Sequence, residues 1–166
     1  RFPFYSSIYE QIFEVTGKPN VILDLSCGLN PLSIPFMGLK KFSYVAADID
    51  MSNLNFIQNY FDKAGISGKT VLLDITNQDD WDRLKAIKSD VCFIFKAFEV
   101  DKRVAEEIFT SINSKFVVAS FSTVSVSGEI MAQSERVWFE KMLARLGKRF
   151  STFRTGNEIF YIVKKG

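Results

Sequence analysis

Asp48, Asp74 and Gly28 are the residues whose types and spacing point first to chemistry, because each stands where an apolar run of strand length gives out. The run Val21–Leu25 passes through Ser26 and Cys27 to Gly28 and then meets Asn30-Pro31, which reads as a strand, a tight loop and the start of a helix. Asn30 suits the N-cap, since its side-chain oxygen can take an orphan amide, and Pro31 suits the first helical position, where no amide hydrogen is needed. Glycine in such a loop lets a ligand approach the backbone closely, and a carboxylate ending the second strand can accept two hydrogen bonds from vicinal ribose hydroxyls. Open α/β sheets bind ligands beyond the carboxyl ends of their strands, so a nucleotide-like cofactor is expected here. Any one of these aspartates could instead cap a helix, Asp50 more readily than Asp48.

A dinucleotide and S-adenosylmethionine would both satisfy that geometry. The phosphate-binding G-x-G-x-x-G is missing, because Leu29, Asn30 and Pro31 follow Gly28, and so is G-x-x-x-x-G-K-[ST]. A cofactor without phosphates is favoured. Histidine is absent, and Cys27 and Cys92 show no metal-ligand spacing, which leaves carboxylates, lysines or a bound cofactor to do the chemistry. No metal site is expected.

The elements that must position these residues alternate along the chain. Tyr5, Ile8, Tyr9, Ile12 and Phe13 follow helical spacing up to Gly17, ahead of the first strand. A short helix weakened by Pro35 follows the loop. Phe42 to Ala47 is a second strand ending in Asp48-Ile49-Asp50, and Leu54, Ile57, Tyr60 and Phe61 repeat helically until Gly65. Thr70 to Leu73 is a third strand before Asp74, and Trp81, Leu84 and Ile87 mark another helix. Val91 to Phe95 is apolar throughout, as in a strand buried on both faces, and Lys96 follows it directly. A helix through Val104, Ile108 and Ile112 leads to the strand Phe116–Phe121, a serine-rich loop over 122–132, and a helix carrying Phe139, Met142, Leu143 and Leu146 on one face. Phe150–Arg154 and Ile159–Val163 flank Gly156-Asn157 as an antiparallel hairpin. The fold class is therefore α/β: a mainly parallel, doubly wound sheet closed by an antiparallel hairpin.

Composition sets the outer bounds. A chain of 166 residues, 47% apolar and 14% aromatic, can bury one sizeable core, so one domain over residues 1–166 is expected. No apolar run approaches the ~20 residues that span a bilayer, and no signal-peptide order opens the chain, so a soluble, intracellular protein without membrane contact is expected. A cytoplasmic location and a monomeric state are expected as well. The net charge of +2 is uneven: residues 136–166 hold eight Lys/Arg against Glu140 and Glu158, about +6, leaving about −4 elsewhere. A basic C-terminal fifth fits an anionic partner, and equally a solvated helix face.

Several motifs in order carry a resemblance. Asp24-Leu25-Ser26-Cys27-Gly28-Leu29-Asn30-Pro31-Leu32 resembles the D-x-x-C-G-x-N-P-L motif of the aminoglycoside-resistance 16S rRNA guanine-N7 methyltransferases. Arg1-Phe2 with Tyr9 and Ile12-Phe13, Ala47-Asp48-Ile49-Asp50, Ile94-Phe95-Lys96, Ser120-Phe121, Trp138-Phe139-Glu140 and Gly156-Asn157-Glu158-Ile159-Phe160-Tyr161-Ile162 are similar to further motifs of that family. The resemblance implies a Rossmann-like, S-adenosylmethionine-dependent fold with a seven-stranded sheet. By that resemblance Arg1 pairs with the cofactor's methionine carboxylate. Ser26, Cys27 and Gly28 line its methionine moiety, Asp48 holds the ribose with Ile49 beside it, and Asp74 and Ile75 meet the adenine. It also implies that Lys96 faces the reaction centre and that the acceptor is 16S rRNA of the small ribosomal subunit, for which Met131, Trp138 and the Arg136/Lys141/Arg145 region are the candidate contacts. Read without it, Arg1 is as readily a frayed terminus, Cys27 a packing residue, Lys96 a solvent-reaching strand end and Trp138 a core side chain.

Guanine N7 carries a free lone pair, so methyl transfer to it needs no general base, consistent with a chain that lacks histidine. Two departures bear on the substrate. Where the family has a glycine-rich basic loop this chain has Val126-Ser127-Gly128-Glu129-Ile130-Met131, with Ser122 in place of a proline, and it does not include the family's N-terminal docking extension. RNA affinity is largely phosphate electrostatics, so Glu129 should weaken or redirect it. A methyltransferase acting on another RNA or a small molecule, and a cofactor-binding module without transferase activity, are the alternatives.

Overall fold

Neighbouring residues of the apolar runs face opposite ways, and helices cover both faces of the sheet that results. The structure, a computed structural model, describes residues 2–98, 102–125, 127–130 and 134–166. Strands β1 (Val21–Leu25), β2 (Ser43–Asp48), β3 (Gly68–Leu72), β4 (Lys88–Phe95), β5 (Asn113–Ser122), β6 (Phe150–Thr155) and β7 (Glu158–Lys164) form one sheet in the order β3-β2-β1-β4-β5-β7-β6. The first five are parallel, and β7 runs antiparallel to both β5 and β6. Helices α1 (Tyr5–Thr16), α2 (Met51–Ala64), α3 (Gln78–Ala86), α4 (Ala105–Ser111) and α5 (Ser134–Arg145) connect or flank them.

Period-two alternation sorts the core. Ile22, Tyr44, Phe93, Val118 and Phe160 pack with α1 and α2 on one face. Leu23, Val45, Cys92, Val117 and Tyr161 pack with Leu84 of α3, Phe109 of α4 and Phe139 of α5 on the other. The strands of residues 88–95 and 113–122 begin earlier than their apolar runs, because parallel pairing of Lys88 with Asn113 and Ser89 with Ser114 extends the ladder into polar residues. β3 starts at Gly68 for the same reason, paired with Tyr44.

Helix boundaries follow capping chemistry. Asp50 caps α2, its Oδ1 accepting from the amides of Ser52 at 2.8 Å and Asn53 at 3.1 Å, and Gly65 ends the helix in the left-handed region at φ 65°. The expected short helix after the glycine loop is instead a 3₁₀ stretch, Asn30–Phe36, with Pro31 near its start and Pro35 inside it. Pro35, the sixth residue of that stretch, has no amide to donate to the Pro31 carbonyl as an α-helix would require, whereas Pro31 near the start loses nothing from the ladder. Asn30 is not its N-cap: Leu29 holds that place, and the Asn30 side chain turns inward to Asp24.

The chain winds outward from β1 to β3, returns, and continues on the other side with β4. The sheet order therefore reverses between β1 and β4, and a crevice is expected outside their carboxyl ends.

Candidate active site

The loop after β1 is held in a sparsely populated conformation. Ser26 has φ 51° and Gly28 φ 49°, so left-handed residues flank Cys27, and at Gly28 the missing Cβ removes the penalty. Cys27 donates its amide to the Ala47 carbonyl of β2 at 3.1 Å, and Gly28 donates its own to Asp48 Oδ2 at 2.7 Å. Asp48 Oδ1 accepts from the Asp50 amide at 2.9 Å. Asp48 is only 8% exposed, yet each carboxylate oxygen has more than one lone pair, so each can take a further donor beyond its backbone partner.

After β3 the acidic loop is braced by α3. Asp74 Oδ1 accepts from the amide and hydroxyl of Thr76 at 2.9 and 2.7 Å, while the Asp74 amide donates to Asp80 Oδ2 at 2.9 Å. That bond, together with Arg83, holds the Asp80 carboxyl below its ordinary range. Trp81 donates its indole N–H to the Ile75 carbonyl at 2.9 Å. Between these loops lies a cavity of about 290 Å³ lined by Ser26, Ile49, Asp74, Ile75, Thr76 and Ala97, together with Val104 and Ile108. Its size is near the lower end of the ~300–1,000 Å³ of small-molecule sites. Ile49, 65% exposed, presents an apolar face where a flat ring could lie. A larger cavity of about 600 Å³ sits beside α1, between Glu10 and Phe36, and holds none of the strand-end aspartates.

Lys96 directly follows β4 in the left-handed region at φ 62°, exposed, its amide donating to the Ser120 carbonyl of β5 at 3.0 Å. A non-glycine residue there is strained, and such strain persists where surrounding structure over-determines it. Cys27 is buried, and burial followed by the Asp24 and Asp48 carboxylates pushes its thiol up, so it packs as a neutral group rather than a nucleophile.

The structure thus gathers Ser26, Cys27, Gly28, Asp48, Ile49, Asp74 and Ile75 at the carboxyl ends of β1 to β3, with Lys96 one strand further on. Arg1 and Met131 lie outside the described residues. Arg136, expected as an RNA contact, is 4% exposed, with its guanidinium 3.5 Å from the Ser122 carbonyl, and it presents little charge to the surface. Trp138 is half-buried, edge-on to Phe121 and Phe139, with Lys102 Nζ 5.6 Å from its ring centroid. Among the described residues no group of three or more His, Cys, Asp or Glu could hold a metal ion, and no helix is long and apolar enough to cross a membrane.

Sequence reasoning missed what lies beneath the loop. Asp24 Oδ2 accepts from Asn30 Nδ2 at 2.9 Å and from the Tyr44 hydroxyl at 2.6 Å. Ser33 donates to the Asn30 carbonyl at 2.7 Å, and its Oγ lies 2.6 Å from the Tyr9 hydroxyl. The spacing of Asp24 and Asn30 in the motif was the available signal; Tyr9 stood in a helical period and in a motif similar to the family's, neither of which pointed to Ser33.

A seven-stranded sheet with its last strand antiparallel, and a glycine loop bonded to the carboxylate that ends the second strand, define a Rossmann-like methyltransferase fold. Within that class, the chain belongs to the ribosomal RNA methyltransferase (FmrO) family, which it matches over residues 1–162. It is 31% identical over 172 residues to the 16S rRNA (guanine(1405)-N(7))-methyltransferase of Micromonospora echinospora, covering 99% of this chain and 61% of that protein. The enzyme of the same description from Proteus mirabilis is 29% identical over 170 residues, covering 97% and 59%. The 16S rRNA methylase ArmA superposes with a TM-score of 0.79 at 25% identity over 100% of this chain and 84% of its own. The chain spans about three fifths of the length of the curated relatives it matches.

Proposed function

We propose that residues 1–166 form the catalytic unit of an S-adenosylmethionine-dependent methyltransferase that acts on N7 of a guanine in 16S rRNA of the small ribosomal subunit. The observation that carries this reading is the bond from the Gly28 amide to Asp48, which fixes a carboxylate with spare lone pairs at the switch point beside an apolar cavity. The residues present fit the cofactor. Asp48 is suited to the ribose hydroxyls, Ile49 and Ile75 to the adenine faces with Asp74 at its edge, and the Ser26–Gly28 loop to the methionine portion, where Arg1 is assigned its carboxylate. S-adenosylmethionine supplies, when bound, an electrophilic methyl group on a sulfonium.

This chain's part is to hold and align. Guanine N7 needs no proton removed, so positioning supplies much of the rate and no buried base is required. Lys96, a cation at the rim, repels a sulfonium and suits an acceptor oxygen or phosphate on the RNA. An rRNA acceptor implies a cytoplasmic protein, and a monomer is part of the same proposal. Methylation of a decoding-site guanine would confer aminoglycoside resistance.

One observation favours a different acceptor, another RNA or a small molecule. The loop after β5 folds back on itself, with Val124 bridging Ile130 and the Ser125 amide donating to the Glu129 carbonyl at 2.8 Å, and it exposes Glu129 and Ile130 rather than basic residues. Methyl incorporation from labelled S-adenosylmethionine into purified small subunits, into bulk RNA, and without acceptor separates these readings. Label in N7-methylguanine of 16S rRNA alone is the expected result; label only in bulk RNA sinks the subunit assignment. Titration calorimetry with S-adenosylhomocysteine tests the cofactor. Asp48→Ala should lose two charge-assisted hydrogen bonds, roughly 1.5–3 kcal/mol each, and unchanged affinity removes Asp48 from the ribose.

A further inference from the structure

We propose that Tyr9 is a positioning residue for the Ser26–Gly28 loop, acting from α1 through a buried chain of hydrogen bonds that ends on Asp24. The inference rests on the cofactor reading above only for its consequence in binding; the relay itself is a matter of geometry. Ser33 has one hydroxyl proton, and it goes to the Asn30 carbonyl at 2.7 Å. Tyr9 must then donate to Ser33 Oγ across 2.6 Å, because Ser33 has no second proton to give. From Asn30 the chain continues through Nδ2 to Asp24 Oδ2, where the Tyr44 hydroxyl also arrives. Tyr9, Ser33, Asn30, Asp24 and Tyr44 are all buried, so no water replaces a missing partner cheaply. Burial pushes the Tyr9 hydroxyl up, so it remains a donor throughout the working pH range.

Position gives the relay its consequence. The loop contains two left-handed residues, Ser26 and Gly28, of which Ser26 carries the strain of a Cβ, and such a backbone keeps its shape when both ends are held. Asp48 holds it on the β2 side through the Gly28 amide. On the other side the Asn30 amide donates to the Cys27 carbonyl at 2.9 Å, and Asn30 is itself held by Ser33 and Asp24. Tyr9 is the member contributed by α1, whose ring is also stacked between Tyr5 and Phe13 and tilted against Phe93. Its ring fixes the helix on the sheet, and its hydroxyl fixes the loop on the helix. The two tasks are separable by removing the oxygen alone.

Tyr9→Phe, Ser33→Ala and the double variant are to be compared with wild type by hydrogen exchange without ligand and by calorimetry with S-adenosylhomocysteine. Amides of residues 27–30, 32 and 33 should exchange about tenfold faster in each variant, the scale of one lost buried hydrogen bond. Amides of β4 should be unchanged. Affinity for S-adenosylhomocysteine should weaken by about the same factor, with the double variant no worse than the worse single one, because both act through one relay. Wild-type exchange in 27–33, or acceleration spread equally over β4, overturns the proposal. If wild type itself does not bind S-adenosylhomocysteine, the cofactor reading falls, while the exchange pattern still decides whether Tyr9 positions the loop.

Discussion

Lys96 places a cation and a strained backbone at the same residue, and the two can be tested apart. At φ 62° a Cβ costs ~1–2 kcal/mol that glycine avoids, so Lys96→Gly should be more stable than Lys96→Ala by about 1 kcal/mol, reversing the usual order of the two residues. Urea unfolding measures that difference. Both variants lose the ammonium, and both should lower turnover at saturating RNA if Lys96 meets the acceptor. A pair that unfolds at the same urea concentration removes the strain argument. Normal turnover in both removes the acceptor role.

At the scale of elements, the amino-terminal ends of the central strands are stitched by Asp90 of β4. Its Oδ2 accepts from the Asn20 and Val21 amides, each at 2.9 Å, and its Oδ1 meets Lys115 of β5 at 2.8 Å. The Lys115 contact first, and the amide bonds with it, hold the Asp90 carboxyl below its ordinary value of 3.8. A carboxyl depressed on folding contributes stability above its unfolded value, and that stability is lost as pH falls through the folded one. Asp90→Asn should therefore destabilise at pH 7, by on the order of 1 kcal/mol because solvent screens a partly exposed pair. The difference should shrink as pH falls below about 3.8. Chemical denaturation at pH 7, 4 and 3 checks this; a constant difference would falsify the linkage. Strand starts such as this one escaped the apolar pattern, since Lys88, Ser89 and Asp90 are polar: Lys88 and Ser89 pair with Asn113 and Ser114 of β5, and Asp90 adds its side-chain bonds.

For the molecule as a whole, the charge distribution bears on docking. The basic side chains of the C-terminal fifth are partly engaged in folding: Arg136 is buried, Lys165 donates to the Phe109 and Ile112 carbonyls at 2.6 Å, and Arg145 pairs with Glu106. Fewer cations remain for phosphates than the sequence count suggests. This chain should methylate small subunits with a high KM and a shallow salt dependence, since the slope of log affinity against log salt scales with the phosphates neutralised. Glu129→Lys should lower KM and steepen that slope by about one unit. Methyl transfer to intact subunits across a salt series is the measurement, and an unchanged slope in the variant would place the substrate surface away from this loop.

The strands, their order of appearance, the acid-and-glycine loop and the family resemblance were all legible in the residues, because hydrophobic period, capping chemistry and turn residues are local properties. Asp50 as the cap of α2 and the hairpin around Gly156-Asn157 follow from such local rules. What only the tertiary structure decided are properties of pairs far apart in the chain. It turned Asn30 from a helix cap into a ligand of Asp24, withdrew Arg136 from the surface, and joined Tyr9 to Ser33 across 24 positions. A side chain's partner is chosen by which groups the packed sheet brings within hydrogen-bonding distance and deprives of water, and that choice exists only once the helices have closed over it.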